Sequence, residues 1–550
     1  MGLAWSSVLC QTSVEQWHPV DLSFTNTTAH ANPFKQVTFS ATFTGPQNTV
    51  LRVPGFFAGG TTWKIRFAPT RIGKWTYATT SSDLPLNRLT DSLQCVANTL
   101  AKTHGRLFVD AANPHHFKYE DGTPYFLLGF EADWVGIMDF NDPSILKEKS
   151  LIDLYAARDF TQVILNIYAY DTSWKTGKTG ADDFGPTAVY PWLGSNAAPD
   201  HTQMNTVFFD HYDKVIDYLF QKGVVAHILI KVYNKMVNWP VKGSSNDSLY
   251  FTYVTSRYQA YPNIIWDFSK EAYNEPDKAY ENRMINLVKS GDGYRRLITT
   301  HDDDTYLTSA QYAPSVDFYT DQNHSNWYST IITQRNARNW PVENSEYGYE
   351  YGPNGAGDVT YNVAQDPETV LKRTYEVVMA GGYPSYYYTY HAWDVVRSSE
   401  LPRGLNYYGH LSTFMAKTRW YNLIPSDNLI GNAAGVHCLA QTGSEYIVYL
   451  SNGGTANLTI TGSAGALSGA WMNAYTGVES AAGPFGNGTQ VLTSPWAATP
   501  SLLRLSAPTP IHRTSPSRKS GSETKLNRYK IRFRAGFPSG IEWVGIDGRK

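Results

Sequence analysis

Phe208–Ile230 reads FFDHYDKVIDYLFQKGVVAHILI. From Phe208 to Gln221 the apolar residues recur at helical spacing, and from Val224 to Ile230 they run on almost unbroken. The first is the pattern of an amphipathic helix, the second that of a strand buried on both faces. Working outward, the same alternation fills the centre of the chain. Upstream lie Phe126-Leu-Leu-Gly-Phe130, a helical stretch over Ser150–Ala157, and Val163-Ile-Leu-Asn-Ile167. Downstream come Asn263-Ile-Ile-Trp266, a helical Ala279–Lys289, Leu297-Ile-Thr-Thr300 and Ser315-Val-Asp-Phe-Tyr319. Trp340-Pro-Val-Glu343, a helical Pro367–Ala380 and the run Tyr383–His391 complete the series. Eight strand candidates alternating with helices over ~250 residues predict a (β/α)₈ TIM barrel. A doubly wound sheet also alternates, but no Gly-rich phosphate fingerprint follows the first strand.

The flanks follow a different period. Val37-Thr-Phe-Ser-Ala-Thr-Phe43 alternates apolar and polar residues, as do Trp63-Lys-Ile-Arg-Phe67 and Trp75-Thr-Tyr-Ala-Thr79, with turn signals at Pro69 and Gly73. Glu445-Tyr-Ile-Val-Tyr-Leu450, Asn457-Leu-Thr-Ile460, Trp471-Met-Asn-Ala-Tyr475 and Ser501-Leu-Leu-Arg-Leu505 repeat this near the other end. The fold class is therefore α/β: a barrel flanked by an N-terminal and a C-terminal antiparallel β-sandwich. The boundaries fall at 14–99, 100–418 and 419–506. Residues 507–550 are Pro-, Ser- and Arg-rich without a period, the composition of a disordered basic tail.

Charge and composition narrow the partners. The stretch Ile511–Lys550 carries ten Lys or Arg against three Asp or Glu, so the chain's −2 balances a +7 tail against a −9 body. An acidic body argues against nucleic acid. No apolar run reaches the ~18–20 residues of a membrane-crossing helix. Three cysteines, Cys10, Cys95 and Cys438, make neither a disulfide framework nor a zinc site. The 14% aromatic share suits sugar-binding clefts and β-rich domains alike. Five glycosylation sequons, at Asn26, Asn246, Asn323, Asn457 and Asn487, are about what chance supplies. Met1–Gln11 is a short apolar stub with no basic segment before it; the expectation is nonetheless a secreted protein, monomeric or weakly oligomeric.

Reactive groups of a barrel sit at the C-terminal ends of its strands. In strand order those ends offer Glu131, Asp133 and Trp134, then Asn166, Tyr168 and Asp171, then Lys231 and Asn234, then Glu271. The later strands offer His301 with Asp302–Asp304, Asp321 and His324, Glu346 with Tyr349 and Glu350, and His391 with Trp393. A polyol needs many hydrogen-bond partners and flat platforms, and this ring of amides, imidazoles, carboxylates and indoles supplies them. The expected substrate contacts are Asp133, Trp134, Asn166, Tyr168, Asn234, His301, His324, Tyr349, Glu350, His391 and Trp393. Glycoside hydrolysis needs two carboxyl groups flanking the scissile bond. Glu271 and Glu346, closing strands four and seven, face each other across the mouth as acid/base and nucleophile. Glu343, Glu346 and Glu350 crowd one loop, so the neighbours are alternative nucleophiles. No metal or other cofactor is called for, since the His301 and Asp302–Asp304 region lacks the His-x-x-x-His spacing of a metal site.

These stretches also resemble known domains. His30-Ala-Asn-Pro-Phe, Phe43-Thr-Gly-Pro, Val53-Pro-Gly-Phe-Phe and Gly73-Lys-Trp-Thr-Tyr are similar to the small β-sandwich that precedes many carbohydrate-active barrels. His104-Gly-Arg-Leu, His116-Phe-Lys-Tyr-Glu-Asp-Gly-Thr-Pro-Tyr-Phe, Pro341-Val-Glu-Asn-Ser-Glu-Tyr-Gly-Tyr-Glu and Gly381-Gly-Tyr resemble the apiosidase-like hydrolases. Trp420-Tyr-Asn-Leu-Ile-Pro and Trp471-Met-Asn-Ala-Tyr-Thr-Gly are similar to a C-terminal sandwich often labelled collagen-binding, a label that is not a function. The resemblance implies the nucleophile at Glu346, an acid on strand four, and a platform at Trp393. In the wider barrel clan an Asn precedes that acid; here Lys270 stands there. The reading that results is a hydrolase of cell-wall polysaccharide or oligosaccharide, retaining configuration. Its rivals are a barrel that binds glycan without cleaving it, and a polysaccharide lyase working through Tyr or His.

Overall fold

The computed structural model describes residues 12–170, 183–184, 188–233, 235–303, 315–353, 364–392, 396–397, 399–431 and 433–507. Residues up to 508 form one compact unit, and the basic tail lies outside the described residues.

Eight parallel strands form the central ring: β1 (Gly129–Glu131), β2 (Gln162–Asn166), β3 (Val225–Val232), β4 (Ile264–Lys270), β5, β6 (Tyr319–Asp321), β7 (Val342–Asn344) and β8 (Tyr383–Tyr386). Strand β5 is split at Thr300. Its first half, Ile298–Thr299, pairs with β4, and its second, His301–Asp302, pairs with β6, which closes the ring. The remaining joins are in order, with β8 pairing both β1 and β7. Helices α1 (Leu146–Ala156), α2 (Thr206–Lys222), α3 (Ser245–Tyr258), α4 (Lys278–Gly291), α5 (Trp327–Arg338), α6 (Pro367–Met379) and α7 (Leu405–Met415) surround it. Side-chain caps start several of them: Asn205, Ser244, Asp277 and Asp366 each accept a backbone N–H of the first turn.

The inside of the ring is polar. Glu343 on β7 accepts from Gln162 Nε2 of β2 and Ser385 Oγ of β8, both at 2.6 Å. His227 on β3 sits between Glu343, at 3.3 Å, and Asp267 of β4, at 2.9 Å. A Cβ at Gly129 would lie 2.1 Å from Ser385 Oγ, so β1 needs a glycine to let this network fill the ring. A small antiparallel sheet, Leu107–Val109, Phe117–Tyr119 and Pro124–Tyr125, caps the N-terminal end, with Phe117 packed edge-on to Phe318.

The first sandwich pairs a five-stranded sheet with a three-stranded one over a core that includes Phe43, Ile65, Phe67, Trp75 and Leu93. Phe39–Thr44 buries every second residue, as its alternation predicts. The sandwich is fixed to the barrel by charge. Arg66 of the sandwich and Arg257 of α3, both buried, share Asp213 of α2 at 2.8 Å each. The second sandwich places a six-stranded sheet against the pair Gly453–Ile460 and Gly488–Ala497. Its strand Glu445–Leu450 is buried on both faces because Tyr449 also stacks on Tyr375 of α6. Among the described residues no helix is long and apolar enough to cross a membrane.

Candidate active site

Strands β1, β4 and β7 bring a cluster of carboxyl groups to the C-terminal edge of the ring. Glu131 ends β1 and Asp133 follows it; Lys270 ends β4 and Glu271 follows it; Glu346 stands two residues past β7. The Lys270 ammonium is buried among them. It bonds Glu131 Oε1, lies 3.2 Å from Glu346 Oε1 and 3.6 Å from Asp133 Oδ2, and reaches the Tyr387 hydroxyl at 3.5 Å.

Glu346 is the most heavily supported carboxylate of the cluster. Its backbone N–H donates to Asn344 Oδ1 at 3.1 Å, which fixes the turn out of β7. Its Oε2 accepts from the Tyr349 hydroxyl at 2.5 Å and Gln322 Nε2 at 3.1 Å, with His324 Nε2 at 3.8 Å. On the other side His301 Nε2 lies 3.5 Å from Oε1 and shares a bond of 3.1 Å with Ser345 Oγ. Burial opposes ionisation here, but Lys270 and then His324 outweigh it and hold the carboxyl well below the usual range. His301 is itself kept neutral: burial drives its imidazole down to about 3 despite Glu346 beside it.

Glu271 is the opposite case. It is half-buried, and burial together with the charge of Glu346 pushes its carboxyl above the ordinary value, against the pull of Lys270. Its backbone has φ +52°, a left-handed conformation that costs a Glu about 1–2 kcal/mol. The turn that follows is tied by Asn274, whose N–H donates to the Glu271 carbonyl at 3.0 Å and whose side chain donates to Oε2 at 3.1 Å. Two carboxyls facing one site with their protonation pushed in opposite directions can serve as an acid and a nucleophile.

At the ends of β1 and β2 several buried polar atoms have no hydrogen-bond partner among the described residues. They are both oxygens of Asp133, Glu131 Oε2, Trp134 Nε1, both polar atoms of the Asn166 amide and the Tyr168 hydroxyl. Such groups are costly unless a ligand's own hydroxyls complete them. Among the described residues no set of His, Cys, Asp or Glu side chains is arranged to hold a metal ion.

Residues 111–427 match the family of apiosidase-like catalytic domains. The chain belongs to the apiosidase-like family. Residues 13–82 also match a domain of unknown function, DUF5060. Among solved structures, a Bacteroides vulgatus protein whose glycoside hydrolase assignment is provisional superposes with a TM-score of 0.75 at 19% identity, over 90% of this chain and 100% of its own. A glycoside hydrolase family 5 protein of Bacteroides vulgatus gives 0.58 at 17% identity, over 73% of this chain and 94% of its own. At these identities the likeness is one of fold. No curated protein is similar to the chain.

Within this apiosidase-like barrel the three glutamates after β7 separate by their partners. Glu343 points into the ring and is consumed by Gln162, Ser385 and His227. Glu350 accepts from the Tyr386 hydroxyl at 2.7 Å and from the Gly404 N–H at 3.1 and 3.2 Å to its two oxygens, and so ties a loop. Only Glu346 of the three meets Lys270. Among the expected substrate contacts, His301, His324, Tyr349 and Asp133 gather round Glu346 and Lys270. His391 does not join them: the Tyr155 hydroxyl bonds its Nδ1 at 2.9 Å and it packs edge-on to Tyr388. Strand β8 ends at Tyr386, not at His391, so the residue its end delivers to the cluster is Tyr387. Asn234 and Trp393, with Asp171 and Asp304, lie outside the described residues. Sequence reasoning did not single out Gln322 and Tyr387, and it named Glu131 at a strand end and Lys270 before Glu271 without giving either a role in the site. Each stands at or one residue beyond a strand end, the signal that found the others.

Proposed function

We propose that this protein is a glycoside hydrolase of extracellular cell-wall polysaccharide or oligosaccharide, acting by retaining double displacement with Glu346 as nucleophile and Glu271 as acid/base. The observation that carries the reading is the unlike setting of the two carboxyls that follow β4 and β7: Glu346 is buried against the Lys270 ammonium and held by Tyr349 and Gln322, while Glu271 is half-buried. In the first step Glu346 attacks the anomeric carbon while Glu271 gives its proton to the departing glycosidic oxygen. Glu271, now a carboxylate, then takes a proton from water as that water displaces Glu346 and frees the sugar. The Tyr349 hydroxyl and the Gln322 amide hold one oxygen of Glu346 and leave its orientation little freedom, which lowers the cost of reaching the attacking geometry. Membership of the apiosidase-like family and the barrel likeness support the reaction class.

The test compares wild type with Glu346→Gln for reducing-sugar release from a panel of cell-wall polysaccharides, following the anomer of the product by NMR. Release by wild type with retained configuration, abolished in Glu346→Gln, is the expected result. Inverted product would overturn the double displacement, and ultraviolet-absorbing unsaturated product would make the protein a lyase. Binding without release from any glycan of the panel would make it a binding module.

A further inference from the structure

Lys270 ends β4, one residue before Glu271, with its side chain buried. An ammonium has three N–H groups. Glu131, Glu346 and the Tyr387 hydroxyl all lie within 3.5 Å of it, and Asp133 Oδ2 is at 3.6 Å. Nothing of that valence is left for a sugar hydroxyl. The charge is spent inside the protein, joining β1, β4, β7 and the residue after β8.

We propose that Lys270 is a positioning residue: its buried ammonium fixes the charge and the orientation of Glu346 by bridging it to Glu131 and Asp133. The role of Glu346 as nucleophile rests on the function proposed above; the coupling itself does not. The groups facing Glu346 are Lys270, Glu271 and Tyr273 from β4 and its turn, and Glu131 and Asp133 from the end of β1. From the later strands come His301, His324, Tyr349 and Tyr387. Of these, His301 is neutral through burial, and the carboxyls at β1 and β4 oppose ionisation of Glu346. The Tyr349 hydroxyl donates a hydrogen bond and brings no positive charge. That leaves Lys270 as the buried cation against Glu346, with His324, one-third exposed and 3.8 Å away, as the lesser one. Burial raises the Glu131 carboxyl well above the ordinary value even with Lys270 bonded to it, and without Lys270 the Glu346 carboxylate would lose its principal opposite charge in the same dry pocket.

The experiment needs no substrate. The full chain is labelled with [δ-13C]glutamate, the Glu346 carboxyl signal is assigned with Glu346→Gln, and its titration is followed by NMR. In wild type the signal is expected to stay at the ionised position throughout the acid range in which the protein is folded. In Lys270→Met it is expected to titrate about one to three units higher, and Lys270→Arg, which keeps the charge, is expected to follow wild type. A folded Lys270→Met in which Glu346 titrates as in wild type would overturn the proposal. If Lys270→Met does not fold, the pair Glu131→Gln and Glu131→Gln/Lys270→Met replaces it, because Glu131→Gln removes the buried carboxyl that would otherwise be left without its Lys270 partner. Glu346 must then titrate higher in the double variant than in the single one, and equal titration would overturn the proposal. Hydrolysis that survives Glu346→Gln would refute the assigned nucleophile and leave the titration result standing.

Discussion

Replacing Glu271 by Ala separates an acid catalyst from a residue that merely shapes the cleft. A positioned general acid contributes about 10²–10⁴ in rate, which is about 2.7–5.5 kcal/mol of barrier. That contribution is needed only when the leaving oxygen is basic. A glycoside with an alkyl or sugar leaving group should therefore lose about 10²–10⁴ in kcat/KM in Glu271→Ala. A 2,4-dinitrophenyl glycoside, whose phenolate departs without a proton, should lose less than about tenfold in its first step. The structure adds the pH dependence. Burial and the charge of Glu346 raise the Glu271 carboxyl, so the acid stays protonated above the ordinary carboxylate value. The basic limb of wild-type kcat/KM should lie above that value and vanish in the variant. Stability should change little, since the side chain is half-buried and Ala inherits the same left-handed backbone. The assay is steady-state hydrolysis of a paired series of glycosides across pH, with circular dichroism as the folding control. Equal losses on good and poor leaving groups, or a basic limb that persists in the variant, would refute the assignment.

Three further outcomes test the frame around the site. Glu343→Ala should cost about 3–5 kcal/mol, because it strands the Gln162 amide and the His227 imidazole inside the ring, and urea unfolding reads the loss. His227 is buried, which opposes its charge, yet Glu343 and Asp267 raise it to about 9 from an ordinary 6.5. A raised histidine stabilises below its unfolded value, so stability should decline as pH climbs from about 6.5 through 9. His227→Gln should flatten that slope in unfolding midpoints measured across the interval. Asp213→Ala should cost about 1.5–3 kcal/mol by removing the carboxylate that Arg66 and Arg257 share, while Arg66 keeps Asp21 and Arg257 keeps Asp210. Limited proteolysis should then cut first between the N-terminal sandwich and the barrel, and cleavage as slow as in wild type would show that apolar packing alone holds the two together.

The eight barrel strands were legible because a strand covered on both faces has no choice but to be apolar, as Val224–Ile230 is. Strand β5 was legible only as a run: nothing in Leu297-Ile-Thr-Thr300 says that the ring changes partners at Thr300. The acid/base and nucleophile candidates came from a positional rule, that chemistry collects at strand ends, and the rule is as good as the strand boundary. With β8 taken to run to His391 it pointed to His391, whereas the strand stops at Tyr386 and Tyr387 reaches Lys270. The choice among Glu343, Glu346 and Glu350 could not be read from spacing at all. It is made by partners remote in the chain: Gln162 and Ser385 for the first, Lys270 for the second, Gly404 for the third.

Lys270 was hidden for the same reason, and more deeply. Its bond to Glu131 spans 139 residues of sequence, and a Lys beside a Glu on a strand end looks locally like a solvated pair. The structure shows the reverse, a fully committed ammonium in a dry pocket that also holds Asp133, whose oxygens accept no hydrogen bond from the described residues, and a Glu in a left-handed backbone. A chain selected for stability alone would relieve each of these: a hydrophobic residue in place of the buried ion cluster is often neutral or better, and a Gly would remove the strain at Glu271. Elsewhere local pattern and fold agree, in the alternation of Phe39–Thr44 and the side-chain caps at Asn205, Ser244, Asp277 and Asp366. Single costs of either kind occur elsewhere, as at Trp192, Tyr258 and Ile145, but at the mouth of the ring, where β1, β2, β4 and β7 end, they meet a buried cluster of charges. Costs of several kinds meeting at the end of the barrel where chemistry collects are the physical mark of a site kept for what it does to a ligand.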